Sequence, residues 1–183
     1  MEVIDEEEDD GSADILAFIE LKYCTVCHIE IPLRAKHCKQ CDQCVATHDH
    51  HCPWVGTCVG ERNRVLFYGF LWSQLSQTLL GFLSCVLILT KIISEGKELL
   101  LQGAGIAVLG LVCFLISVSL SVLIGLHTYL ISKAMTSWEY FSWMRITYLK
   151  VWPRRYGSPF SKGSASKNFL WYFTSRRSGA FAY

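Results

Sequence analysis

Seven of the nine cysteines and five of the six histidines fall between Cys24 and Cys58. The pairs Cys24/Cys27 and Cys38/Cys41 have the C-x2-C spacing of metal knuckles, and a closed zinc site takes four nitrogen or sulfur ligands. Six cysteines (Cys24, Cys27, Cys38, Cys41, Cys44 and Cys58) and two histidines therefore fill two tetrahedral sites. Neighbouring residues of an extended chain point to opposite sides, so His37 and Cys38 serve different ions, and His50 and His51 face different partners. The assignment that follows is interleaved: Cys24, Cys27, His37 and Cys44 on one zinc ion, and Cys38, Cys41, His51 and Cys58 on the other. Spacing alone leaves His28 and His48 open as substitutes. A metal-free loop of this composition would have nothing to fold around.

Cys52 is left over from this count, beside His50 and Asp49. A cysteine nucleophile reacts as the thiolate, and a nearby imidazole serves as its base or as a stabilising cation. Asp49 would fix the tautomer and orientation of that imidazole. The plain alternative makes Cys52 one more ligand, and the eight other donors argue against it.

The elements that must position these groups are membrane-like. Of the 183 residues, 51% are hydrophobic, which with a positive mean hydropathy argues against an ordinary soluble domain. The net charge of +1 hides an acidic start and a basic end. Residues 1–22 read as an acidic, solvated leader, in which 14–21 (DILAFIEL) is too short to span a bilayer and forms a short helix or strand. The cysteine-rich domain occupies 23–64. Residues 65–94 and 106–132 are long enough to cross a membrane, joined by a polar loop at 95–105, and 133–183 form a tail. Basic residues flank both spans on the side of the cysteine domain and the tail, which places both in the cytosol and the loop in the lumen. No cleavable signal peptide precedes the cysteines, and C-x-x-C pairs mixed with histidines suit a reducing compartment. Beyond that spacing the sequence shows no internal repeat. Cys85 and Cys113 read as packing residues within the spans, and His127 as a hydrogen-bonding one. Ser73, Gln74, Ser76, Gln77 and Thr78 suit hydrogen bonds between helices. Residues 138–152, rich in aromatic and basic side chains, read as a stretch lying on the membrane surface.

The block closely resembles the cysteine-rich domain of the DHHC-type protein S-acyltransferases, or palmitoyltransferases. Besides the donors already named, Pro32, Arg34, Asp49, His50, Cys52, Trp54, Val55, Gly60, Asn63 and Phe67 carry the resemblance at fixed spacing. In the tail, Thr136-Ser137-Trp138-Glu139 is similar to the family's TTxE element. Ser158-Pro159-Phe160 through Asn168-Phe169 is similar to its C-terminal segment. The resemblance implies an α-helical integral membrane protein with a small two-zinc cytosolic domain, and the same interleaved ligand sets. It implies that Cys52 takes a fatty acyl group from acyl-CoA, such as palmitoyl-CoA, and passes it to a cysteine of a substrate protein. His50 would be the base, Asp49 its orienter, and Ser137 and Glu139 supports from the tail. Trp54 would line the mouth of an acyl slot, or sit at the interface as such aromatics commonly do. The implied partners are acyl-CoA, membrane-associated substrate proteins and the bilayer of the Golgi or ER. Nucleic acid is not among them, because no basic recognition helix follows the metal sites.

The chain departs from the family in several places. Family members carry four or more spans, two of them ahead of the cysteine domain, whereas two follow it here. Thr57 stands for an asparagine, Ile31 for a basic residue and Ser137 for a threonine. The competing reading is a catalytically silent, membrane-anchored zinc-binding interaction module, or a truncated inactive fragment.

Overall fold

Three short antiparallel hairpins carry the cysteines. They pair β1 (Lys22–Cys24) with β2 (Ile29–Ile31), β3 (Lys36–Cys38) with β4 (Gln43–Val45), and β5 (His50–Cys52) with β6 (Thr57–Val59). The computed structural model describes residues 22–95 and 102–175. The acidic leader, the 14–21 segment and most of the 95–105 connection lie outside the described residues.

The hairpins are copies of one another. Cys24 pairs with Ile29, Cys38 with Gln43 and Cys52 with Thr57, and every other pair repeats in the same register fourteen residues on. Each turn has four residues and closes through a left-handed position: His28 (φ 56°), Asp42 (φ 51°) and Gly56 (φ 67°), as such loops require. The expectation of no internal repeat is therefore corrected. Side chains conceal the repeat because equivalent positions have different tasks: Tyr23, His37 and His51 at one, and Cys27, Cys41 and Val55 at another.

Residues 22–62 with 130–175 form one compact unit, and residues 63–129 a second. The first unit continues after the hairpins with α3 (Ser137–Ser142), a 3₁₀ turn at Trp143–Arg145 and α4 (Thr147–Lys150). A second 3₁₀ turn at Arg154–Tyr156 and α5 (Ala165–Thr174) follow. Trp143, Ile146, Tyr148, Leu149 and Trp152 pack into a core joined by Leu33, Met135, Trp138 and Phe160. The stretch expected to lie on the membrane surface thus turns half its apolar residues inward, while Phe141, Met144 and Val151 stay exposed. Asn168 fastens α5 to the preceding chain, donating from Nδ2 to the Ser132 carbonyl (2.8 Å) and accepting from the Lys162 N–H (2.6 Å).

In the second unit lie α1 (Arg64–Ser94) and most of α2 (Gln102–Ser132), both long and apolar enough to cross a membrane. The second helix starts four residues before the expected 106, because Gly103 and Gly105 only weaken a helix, by about 1 kcal/mol each. Small residues let the two helices approach. A Cβ on Gly81 would stand 3.3 Å from Cys113 Sγ, and one on Gly110 would stand 3.1 Å from Cys85 Cβ. Both cysteines are packing residues, as expected. Ser117 donates to Thr78 (2.9 Å), while Ser73 and Ser76 bond back to their own helix. His127 meets the Phe67 ring edge-on at 5.4 Å.

Gly60, just past β6, packs closely against the second hairpin. A Cβ there would lie 2.7 Å from Val45 Cγ1 and 2.8 Å from the Ala46 carbonyl oxygen. Gly60→Ala should lower thermal stability by ~1–3 kcal/mol, whereas Gly69→Ala, facing open space, should not. Paired melting curves in one detergent measure the difference.

Candidate functional site

Each hairpin hands donors to the next. Cys24 and Cys27, at the first turn, converge with His37 and Cys44, which face each other across β3 and β4. Cys38 and Cys41, at the second turn, converge with His51 and Cys58 across β5 and β6. His37 Nδ1 lies 3.3 Å from Cys27 Sγ, 3.6 Å from Cys24 Sγ and 4.0 Å from Cys44 Sγ. His51 Nδ1 lies 3.3 Å from Cys41, 3.7 Å from Cys58 and 3.8 Å from Cys38. Such spacings are the edges of tetrahedra whose corners sit ~2.0–2.3 Å from a central ion. Each set can hold one metal ion, and the two sets are those read from the spacing. His28 stays in its turn and His48 packs elsewhere, so neither substitute joins a set.

The electrostatics of the donors suit a cation. The Cys27 N–H holds the Cys24 thiol below its ordinary value against the effect of burial. For Cys38, burial is outweighed by the N–H of Cys41 and neighbouring groups. Burial, followed by the sulfurs of Cys24 and Cys27, pushes Cys44 up to about 12, and burial with the sulfurs of Cys38 and Cys41 raises Cys58. Each set therefore pairs a thiol whose ionisation is eased with a crowded one whose ionisation needs nearby positive charge.

The third hairpin carries the remaining reactive groups. His50 Nδ1 donates to Asp49 Oδ2 at 2.6 Å. That carboxylate also accepts from the Ser137 hydroxyl (3.0 Å) and, on Oδ1, from the Ser137 N–H (2.5 Å). The Trp138 N–H reaches the Asp49 carbonyl at 3.2 Å. Burial works to lower the His50 pKa, but the Asp49 bond and charge, with a further contribution from Cys52, hold it above its ordinary value. Cys52 is 5% exposed and belongs to neither metal set. A cleft of about 640 Å³ opens here, lined by Lys36, Lys39, His48, His50, Ser137 and Trp138 among others.

Glu139 supports this group at one remove. It is 1% exposed and takes a bidentate ion pair from Arg34, with both bonds at 2.7 Å. Glu139 also accepts from the Tyr148 hydroxyl (3.2 Å) and the Thr136 N–H (2.9 Å), while its own N–H donates to Thr136 Oγ1. Arg34 further donates to the Ala134 carbonyl (3.2 Å) and lies 4.3 Å from the centre of the Phe160 ring. Burial and the nearby Glu139 carboxylate raise the Tyr148 phenol above its usual range.

The model of the DHHC palmitoyltransferase family matches residues 17–144. This chain belongs to the DHHC palmitoyltransferase family. It is 43% identical over 124 residues to mouse palmitoyltransferase ZDHHC18, covering 66% of this chain and 32% of that protein. To human palmitoyltransferase ZDHHC9 it is 38% identical over 154 residues, covering 82% of this chain and 40% of the relative. To a Dictyostelium discoideum protein described as putative ZDHHC-type palmitoyltransferase 7 it is 38% identical over 143 residues, or 77% and 32% of the two chains. The chain thus spans about a third to two fifths of the length of these relatives.

Among the site residues expected of a DHHC protein, Asp49, His50, Cys52 and Ser137 come together in this chain. Glu139 contacts Arg34, Thr136 and Tyr148 instead, and Trp54 stands 92% exposed at the tip of the third turn. Sequence reasoning did not give Tyr148 or Thr136 a role, and Arg34 entered it only as a motif match. A buried carboxylate needs a charged partner, but sequence does not say which arginine reaches it. It also missed that His48 is buried with Nδ1 lacking any partner among the described residues, its ring edge-on to Trp138 at 5.9 Å.

Arg34→Ala should cost ~3–5 kcal/mol because it leaves the Glu139 charge buried and uncompensated, measured by thermal unfolding. His48 gives a pH-dependent test. Burial, with the Lys36 charge, pushes its pKa from 6.5 down to about 4. The folded value lies below the unfolded one, so neutral His48 is tolerated above pH 6.5 and stability is lost as pH falls towards about 4. His48→Phe should be more stable by ~1 kcal/mol at neutral pH, with the gap from the parent widening across that window in melts at several pH values.

Proposed function

We propose that this chain is a protein S-acyltransferase whose nucleophile is Cys52. The observation that carries the reading is the Asp49–His50 hydrogen bond beside a cysteine that neither metal set uses. With Nδ1 bonded to Asp49, Nε2 is the ring nitrogen of His50 that takes the Cys52 proton. The thiolate attacks the thioester carbonyl of acyl-CoA, the carbon–sulfur bond to CoA breaks, and His50 returns the proton to the departing thiolate. In the second half, His50 takes the proton of a substrate protein's cysteine, which attacks the acyl-Cys52 thioester. Cys52 leaves as thiolate and recovers the proton. A thioester is made from a thioester at each step, so the site must supply a thiolate, orientation and a place for the chain. Lys36 and Lys39 in the neighbouring cleft suit the phosphates of CoA, and each methylene of a palmitoyl chain buried along apolar helix surface contributes ~0.8 kcal/mol.

Both metal sets fit zinc: three thiolates and one imidazole at tetrahedral spacing. When bound, the ions clamp neighbouring hairpins together. The cysteine-rich domain ends at Asn63, Arg64–Ser94 and Gln102–Ser132 are the spans, the connection between them is luminal and the tail from 133 is cytosolic. The basic flanks support a cytosolic cysteine domain and tail, in a membrane of the Golgi or ER. Its partners are acyl-CoA and membrane-associated proteins with acceptor cysteines, and not nucleic acid.

Incubating the purified full chain in detergent with alkyne-tagged palmitoyl-CoA tests this reading. Hydroxylamine-labile label should appear on the parent chain, fall by ~10²-fold or more in His50→Ala, and vanish in Cys52→Ser. Equal labelling of Cys52→Ser, or none on the parent chain with both metal ions bound, would assign the chain to the silent-module reading.

A further inference from the structure

The three hairpins share one plan for their donors. The first cysteine of each hairpin is Cys24, Cys38 or Cys52, each ending the first strand in the same register and each 5% exposed. Three residues on, in the turn, stand Cys27, Cys41 and Val55. In the first two hairpins these two positions form the forward half of a metal set, completed by the next hairpin's paired histidine and cysteine. Cys52 therefore occupies a metal-ligand position. What its hairpin lacks is the second turn ligand, replaced by Val55.

We propose that Val55 is the residue that keeps Cys52 available as a thiol, by denying the third turn the second ligand of a metal knuckle. The remaining parts of a third site are in place. His50 shares a strand face with Cys52, two residues away on the same strand. Asp49 holds the other ring nitrogen of His50 at 2.6 Å, the arrangement by which carboxylates orient metal-bound histidines. The turn backbone is compatible as well, since Gly56 repeats the left-handed conformation of His28 and Asp42. With one more thiol at the tip, Cys52, the new sulfur and His50 would make a three-ligand site, and an incoming ion would displace both thiol protons. Such an ion would hold the sulfur as a bound thiolate and block its attack on any electrophile. The valine, 37% exposed at the turn, matters here for the ligand it does not offer.

The test uses the full chain in detergent under reducing conditions, carrying Val55→Cys, Val55→His or Val55→Ser. Metal content is measured by mass spectrometry, Cys52 reactivity by iodoacetamide alkylation and peptide mapping, and cobalt binding by thiolate-to-metal charge-transfer absorption. Val55→Cys and Val55→His should each hold one more zinc or cobalt ion than the parent chain. Their Cys52 alkylation should fall by about tenfold or more, and a mild chelator that leaves the two original ions should restore it. Val55→Ser should match the parent in metal content and alkylation. Parent metal content in both ligand-adding variants would overturn the proposal, as would an equal loss of alkylation in Val55→Ser. Loss of the original ions from either variant would also count against it, because the first two turns carry cysteine at this position without disturbance. None of these readouts involves acyl transfer, so failure here and failure of the acyltransferase reading are distinguishable.

Discussion

No hairpin supplies all four donors of one metal set, and that division sets the architecture. Two donors go forward from each of the first two hairpins and two reach back from the hairpin that follows, so a metal set exists only where neighbours are docked. Three-residue strands in two-stranded sheets have too little apolar contact to hold themselves. Each set therefore substitutes for a hydrophobic core. The consequence for chemistry lies at the end of the series. His51 and Cys58 pull the third hairpin backwards onto the second, and Cys52, next to His51 on the same strand, is buried outside both metal sets.

A second fastening ties the hairpins to the chain that follows the second long helix. Asp49 takes both polar groups of Ser137, 88 residues away in sequence. Arg34 takes the Glu139 carboxylate across 105 residues. The two contacts differ in kind. Glu139 is a buried charge surrounded by donors, and its work is to hold the start of α3 against the loop between the first two hairpins. Asp49 is shared between Ser137 and His50, so the position of α3 is felt directly by the imidazole beside Cys52. The short helix thus acts on the site by fixing both oxygens of one carboxylate.

Donor identity was legible in the sequence because ligand chemistry tolerates few residue types and strand alternation separates His37 from Cys38. The spans were legible because a bilayer demands uninterrupted apolar length. The threefold hairpin repeat was not, although its period is written in Cys24, Cys38 and Cys52. Selection at those positions acts on role, and the roles change from hairpin to hairpin, so self-similarity of side chains vanishes while that of the backbone persists. The burial of His48 was equally hidden, since a histidine beside a metal cluster reads as a ligand until the fold turns it away. The half-inward packing of 138–152 escaped notice because aromatic and basic residues serve a membrane surface and a small core equally well. What paired with Glu139 depended on contacts too distant in sequence for spacing to reveal.

The measurement that bears most directly on the account is native mass spectrometry of the intact chain after exposure to palmitoyl-CoA, followed by peptide mapping. A single palmitoyl adduct on Cys52, with both metal ions retained, is the predicted result: donors and nucleophile would then be separate populations of the same cysteine block. An adduct on any of the eight donors, or acylation that appears only as an ion is lost, would contradict it.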